Sequence, residues 1–186
     1  LERMAEDEKE PFGEEFVEYY RRMLGLAQRQ DAITEQLAEL QIALAAAETP
    51  EEREEIERRL KRLREMQRKL LDEIDELMEA MDRTGKIEQL AETQEKLEQA
   101  RQKAQEVSQA IAQGELQKAQ TASKRASDEM RHSAEALREN TASAFAETMD
   151  EIRDEVRKLA ETQSKLTESL ADQVHLGKGD KKTRSG

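Results

Sequence analysis

From Phe12 onward, apolar residues recur at Phe16, Tyr19, Met23, Leu26, Ile33, Leu37, Leu40, Leu44 and Ala47, with Gln30 as the one polar member of the series. After a first step of four, the intervals alternate three and four without a break. This 3.5-residue period is a coiled-coil seam, narrower than the apolar stripe of a globular helix. It predicts a first helix over 13–47. Thr49-Pro50-Glu51-Glu52 then offers an N-cap, a proline at the first helical position and a capping-box glutamate, so a tight turn is expected near 48–49. The second helix repeats the seam with Ile56, Leu60, Leu63, Gln67, Leu70, Ile74, Leu77 and Met81. Thr84-Gly85 is its expected stop, since glycine readily takes the left-handed conformation after a helix. A lone glycine is also tolerated inside a helix, in which case the second and third helices form one rod.

The third helix, 86–112, has a thinner seam: Ile87, Leu90, Gln94, Leu97, Ala100, Ala104, Val107 and Ile111. Its spacing slips after Leu97, the mark of a stammer. Gln113-Gly114-Glu115 is the next expected turn. The last helix, 115–174, begins Leu116, Ala119, Ser123, Ala126, Met130, Ser133, Leu137. The seam then resets through Asn140-Thr141-Ala142-Ser143 to Phe145, Met149, Ile152, Val156, Leu159, Gln163, Leu166 and Leu170. Asn, Thr and Ser offer the backbone competing hydrogen bonds, so that step is a candidate kink.

The expected fold class is therefore all-α: elongated antiparallel coiled-coil hairpins with one long projecting C-terminal helix. The expected organisation is a flexible acidic segment at 1–12, a hairpin at 13–82 and a second hairpin at 86–142. A projecting coiled-coil helix at 143–174 and a disordered basic tail at 177–186 complete it.

Pairing can be tested on paper, because facing residues of an antiparallel hairpin have a constant sum of positions. The first turn sets that sum near 97. Phe16 then meets Met81, Met23 meets Ile74, Leu37 meets Leu60, and Gln30 meets Gln67. A buried polar layer lowers stability but penalises registers that set a lone Gln against Leu, so Gln30 and Gln67 are expected to set the register. Charges agree in part: Asp75-Glu76 lies opposite Arg21-Arg22, and Arg58 to Arg64 opposite Glu35 and Glu39. Arg29 opposite Arg68 and Glu18 opposite Glu79 do not fit. Exposed pairs are each worth under about 1 kcal/mol, so the hydrophobic seam decides.

The stretch from Phe145 to Leu170 has no sequence-adjacent partner. Phe145, Met149, Ile152, Val156, Leu159, Leu166 and Leu170, with Gln163 as polar marker, are thus the expected protein-interaction surface, for a second copy or another protein. The phrase Leu-Ala-Glu-x-Gln-x-x-Leu occurs at 37–44, 90–97 and 159–166; the uneven offsets rule out a fixed-period solenoid.

Composition sharpens this picture. Ala, Glu, Lys, Leu and Arg make up 107 of 186 residues, and charged residues 40%, which leaves too few large apolar side chains for a thick core. Net charge is −12, which argues against nucleic acid and anionic membranes as partners. Zero Cys excludes disulfides and thiolate metal sites and suits reducing and oxidising compartments alike. No run of about 18 apolar residues offers a membrane span, and no signal peptide is visible. Leu1 as the first residue fits a fragment of a longer chain.

Two carboxylate-x-x-His sequences, Glu129 to His132 and Asp172 to His175, have the spacing of di-metal bundle ligands. Met130 and Ser133 hold the seam there, which leaves Glu129 and His132 flanking it toward solvent. Arg58 to Lys69 is interrupted by glutamate and lacks aromatics for base stacking, so it reads as a solvated, partner-facing helix. Phe12, Phe16, Tyr19 and Tyr20 form the one aromatic cluster, at the end of the hairpin core. No phosphate loop, nucleophile elbow or His-Glu-x-x-His occurs. No enzyme activity, cofactor, metal or small-molecule substrate is expected.

Leu26-Ala27-Gln28-Arg29-Gln30-Asp31-Ala32-Ile33-Thr34-Glu35-Gln36-Leu37 and Ala110-Ile111-Ala112-Gln113-Gly114-Glu115-Leu116-Gln117-Lys118-Ala119-Gln120 resemble the helical extramembrane part of large bacterial envelope proteins of unknown function, found in planctomycetes and proteobacteria. The resemblance implies an envelope location and a tethering or scaffolding role, and assigns no catalytic or binding residue. The expected function is a non-catalytic scaffold, spacer or assembly arm that acts through protein association. Two alternatives are a holdase-type chaperone, needing an apolar groove in the Ala-rich 100–146 region, and a carboxylate metal protein.

Overall fold

The computed structural model describes the backbone of residues 2–183 and the side chains of 13–141 and 150–172. Among these residues the chain is all-α, with α1 (Glu2–Ala46), α2 (Pro50–Arg83), α3 (Ile87–Ala112) and α4 (Leu116–Thr183). It divides into two compact units, Leu1–Ala146 and Glu147–Gly186.

Local chemistry sets each turn. Thr49 has extended backbone and its hydroxyl accepts from Glu52 N at 3.2 Å, while Pro50 opens α2. The Glu52 carboxylate reaches back to Glu48 N at 2.9 Å, so two otherwise orphaned N–H groups are satisfied together. Gly85 (φ 68°) reverses the chain between α2 and α3, helped by the Thr84 hydroxyl, which donates to Met81 O at 2.7 Å and accepts from Lys86 N. The second and third helices are therefore separate. After α3, Glu115 N bonds Ala110 O at 2.9 Å and Gly114 N bonds Ile111 O at 3.1 Å, with Gly114 at φ 74°. This is the Schellman arrangement, in which glycine takes the left-handed position.

In the first unit the two hairpins close on each other as an up-down-up-down four-helix bundle. Each neighbouring pair is antiparallel, as its cross-helix ties reveal: Arg29 with Glu73 joins α1 to α2, and Arg101 with Asp75 joins α2 to α3. Asn140 Nδ2 with Glu92 joins α3 to α4, and Arg131 with Asp31 joins α4 to α1. Closure needs a stripe wider than one seam, because every helix now meets two neighbours. Tyr20 and Ala27 on α1, Ala110 on α3, and Ala122, Ser127, Ala134 and Ala136 on α4 are buried off-seam residues that provide it.

The core is uneven in bulk. Phe16, Met23, Ile33, Leu37, Leu63, Leu70, Ile74, Leu77 and Met81 fill the first hairpin, whereas Ala100, Ala104, Ala119, Ala126, Ser123 and Ser133 dominate the second. At one end Lys86 Nζ lies 5.7 Å from the centre of the Phe16 ring, and Tyr19 OH donates to Ala80 O at 3.2 Å.

Several expectations change. The α3 interior takes Thr93, not Gln94: the buried series Leu90, Thr93, Leu97, Ala100, Ala104, Val107, Ile111 alternates three and four, so there is no stammer. Thr93 is short enough for a layer in which Ser133 donates to its carbonyl at 2.8 Å, while Gln94 reaches outward to Asp82 at 2.8 Å. Ile87 at the start of α3 and Leu44 near the end of α1 are exposed, so the core stops short of both. The charge register also differs: Arg29 finds Glu73 instead of facing Arg68, Asp75 pairs with Arg101 instead of α1, and Glu18 pairs with Arg21 along its own helix.

Helix extends further than the seam at both ends, over 2–12 and 177–183, which were expected to be flexible. Over 2–10 charged, straight-chain residues propagate a helix whether or not an apolar seam continues, whereas Gly177 and Gly179 give 177–183 no such local reason. The helical assignment is likewise unbroken through Asn140 to Ser143.

Candidate interaction site

Two places in the chain concentrate features that packing alone does not require. The first is a polar layer midway along the bundle. Gln30 and Gln67 are fully buried, and their side-chain amides exchange reciprocal hydrogen bonds of 2.8 and 2.9 Å. Gln30 Nε2 also donates to Ser123 Oγ at 2.7 Å, and Gln67 Nε2 to the Ala104 carbonyl at 3.3 Å. Ser123 and Thr34 hydroxyls both donate to Gln30 O, at 3.1 and 3.0 Å. The layer thus engages all four helices, and each amide finds a partner that burial demands.

A second, smaller polar contact lies nearer the Phe16 end. The Ser133 hydroxyl bonds Thr93 O and lies 3.1 Å from Met23 Sδ, while the buried Thr93 hydroxyl has no partner. Burial also pushes the Tyr19 phenol above its ordinary pKa, with Glu15 adding to the shift and Arg22 and Arg83 opposing it.

The second place is the stripe on α4 in the second unit. Leu159, Leu166 and Leu170 are 56%, 58% and 62% exposed, and Gln163 between them is also exposed. Ile152, expected on the same surface, is only 2% exposed, so its shielded side chain has no face to offer a partner. Val156 is half-buried. Phe145 and Met149 lie outside the described side chains. Elsewhere Ile42, Met66 and Ile87 are exposed singly, which is ordinary for a protein surface. Three leucines in one line at heptad spacing are not.

The remaining candidate chemistry is dispersed. His132 is exposed, with Nδ1 3.7 Å from Glu129 Oε2. Glu129 is half-buried and that oxygen is enclosed without a hydrogen bond, so it does not face solvent as expected. Asp172 is exposed, and His175 is outside the described side chains. No group of three or more metal-ligating side chains occurs among the described residues. Arg58 and Arg59 both pair with Glu55 on their own helix, and the basic run up to Lys69 is exposed throughout, apart from its seam members. An open groove of about 530 Å³ runs past Gln41, Leu44, Leu116 and Thr121, and one of about 330 Å³ past Gly25, Leu26, Arg29 and Glu73. The first is also lined by Glu115 and Lys118, which pair with each other at 3.5 Å. Within the Ala-rich stretch 100–146, Ala100, Ala104, Ala110, Ala119, Ala122, Ala126, Ala134 and Ala136 are buried, and Ala112 is exposed.

No helix among the described residues is long and apolar enough to cross a membrane. No family model matches the chain, nor does any curated protein or solved structure.

Proposed function

We propose that the chain is a non-catalytic helical scaffold or assembly arm whose working surface is the stripe Leu159, Leu166 and Leu170 of α4. One contrast supports this reading above all: apart from Leu44 and Ile87 at its ends, the bundle encloses its large seam residues and pairs its central glutamines internally, whereas the α4 stripe leaves three consecutive leucines of its seam in water. Burying a leucine is worth about 1.5–3 kcal/mol, so three in a row at heptad spacing favour association strongly. A bacterial envelope tether is the setting we propose for it, on the resemblance of 26–37 and 110–120.

Sedimentation velocity of the whole chain beside a Leu159→Asp, Leu166→Asp variant tests the proposal. The wild type should show a mass above that of one chain, rising with concentration, and the variant should sediment as a monomer with unchanged helix content. A wild type that stays monomeric across the range would remove the stripe as an association surface.

A further inference from the structure

We infer that the occupant of the α4 stripe is a second copy of this chain, lying parallel and in register so that Gln163 faces Gln163 of that copy. The inference rests on the associative reading above and names its partner and geometry. It begins with the phase of the stripe. The octads Leu90-Ala91-Glu92-Thr93-Gln94-Glu95-Lys96-Leu97 and Leu159-Ala160-Glu161-Thr162-Gln163-Ser164-Lys165-Leu166 are nearly the same. Each offers two ways to join its leucines, through Thr or through Gln. In α3 the next interior residue is Ala100, three after Leu97, and unbroken alternation then requires Thr93 inside, as observed. In α4 the next apolar residue is Leu170, four after Leu166, and Val156 lies three before Leu159. The same rule here selects Gln163. In heptad terms Val156, Gln163 and Leu170 are a positions, and Leu159 and Leu166 are d positions.

This pattern selects the partner. A polar residue at an isolated a position demands a polar group opposite it, because an unpaired amide in an apolar layer is costly. In a parallel, in-register pair like faces like, so Gln163 meets the amide of its counterpart while Leu159 and Leu166 meet leucines. The bundle shows that this chemistry works in this chain, where Gln30 and Gln67 satisfy each other through two hydrogen bonds. An antiparallel copy in the register that buries all three leucines would set each Gln163 against a leucine.

Charge agrees. Between Val156 and Leu170 the flanking positions Ala160, Thr162, Thr167 and Ser169 are uncharged, Glu155 just before them falls beside the uncharged Ala160 of the copy, and Arg157, Lys158, Glu161, Lys165 and Glu168 occupy outer positions. Two copies of a chain carrying −12 therefore approach along this stripe without like charges meeting across it. With Ile152 buried, the seam from Val156 to Leu170 gives only about two heptads, at the small end of specific interfaces, so the pairing is expected to be reversible.

The chain has no cysteine, so single cysteines report orientation directly. We would prepare Leu170→Cys, Ser169→Cys and Asp172→Cys in the full chain, which keep Gln163 and lie toward the end of the stripe, and oxidise each mildly at concentrations where sedimentation detects association. Leu170→Cys should form the disulfide dimer about tenfold faster than Asp172→Cys and clearly faster than Ser169→Cys, since only facing seam positions approach closely in a parallel pair, whereas an antiparallel pair sets Leu170 against Leu159. Adding Leu159→Asp and Leu166→Asp should abolish that preference. Circular dichroism verifies that each variant keeps its helix, which mutations at exposed positions should not disturb. Dimers in sedimentation with no preference for Leu170→Cys would overturn the parallel register and leave the associative reading standing. Faster cross-linking through Ser169→Cys would overturn the phase, and a monomer throughout would overturn both.

Discussion

The octads at 90–97 and 159–166 carry the same leucines, the same Thr-Gln pair and the same lysine, yet one is interior and the other lies in water. Leu90 and Leu97 are buried within the bundle, while Leu159 and Leu166 are more than half exposed. Thr93 is enclosed and Gln94 turns outward to Asp82, while the Thr162 hydroxyl merely bonds Lys158 O of its own helix turn at 2.9 Å. Intrinsic helix propensity therefore does not separate the two octads. What separates them is company: three neighbouring helices surround the first, and the second keeps its leucines exposed. Amphipathic helices are stabilised mainly by what their apolar face packs on, so the same words acquire different roles in different surroundings.

If that account holds, the largest effects should appear in paired mutations. Leu97→Ala should destabilise the fold by about 2–5 kcal/mol in urea, through lost burial and the cavity left behind. Leu166→Ala should change folding by no more than about 0.5 kcal/mol, the usual range for a surface site, and weaken association instead. Equal destabilisation by both would break the comparison.

Glutamines sharpen it further. Gln67→Leu alone should cost about 1–3 kcal/mol, because the Gln30 amide loses its partner in a buried layer, while Gln30→Leu with Gln67→Leu together should cost much less than the sum. Gln163→Leu should leave folding unchanged and tighten association while loosening its register, which oxidation of cysteines placed along the seam would reveal. A smaller effect is expected at the threonines. Thr93→Val removes a buried hydroxyl that has no partner and should stabilise by roughly 1 kcal/mol, whereas Thr162→Val should be near neutral.

The smallest effect is on pH dependence and is confined to the bundle. Tyr19 is held neutral more strongly in the folded chain than in the unfolded one. At pH above the ordinary phenol value of about 10, the unfolded chain releases this proton first. Stability should therefore be fully present below that pH and fall as pH rises toward the folded-state value. Tyr19→Phe should remove this part of the alkaline loss, as read from thermal unfolding at stepped pH.

Much of the bundle is legible from residues in sequence order, and the exceptions have physical causes. Thr49-Pro50, Gly85 and Gly114 mark turns whose chemistry is local, so each is visible within four or five residues. The facing of Gln30 and Gln67 follows from a short turn and simple counting. Side-chain ties are harder, since a long arginine chooses among carboxylates one turn apart, and Arg29 reaches Glu73 where simple counting puts Arg68. Thr93 was hidden because Gln94 extends the preceding seam equally well, and only Ala100 beyond Leu97 breaks the tie. Closure of the second hairpin on the first was hidden for another reason: alanines and serines fit many registers, and nothing short of the assembled layer around Ser123 and Gln30 selects one. For the α4 stripe, the heptad leucines are plain in the sequence, but the burial of Ile152 is not.

Hydrogen exchange measured by mass spectrometry at several protein concentrations tests the central contrast most directly. Amides of 90–112 should be protected to the same degree at every concentration, because their partners belong to the same chain. Amides of 156–172 should exchange quickly in dilute solution and become protected as concentration rises. If the α4 amides keep the same protection at all concentrations, whether high or low, the stripe is no association surface and the account fails.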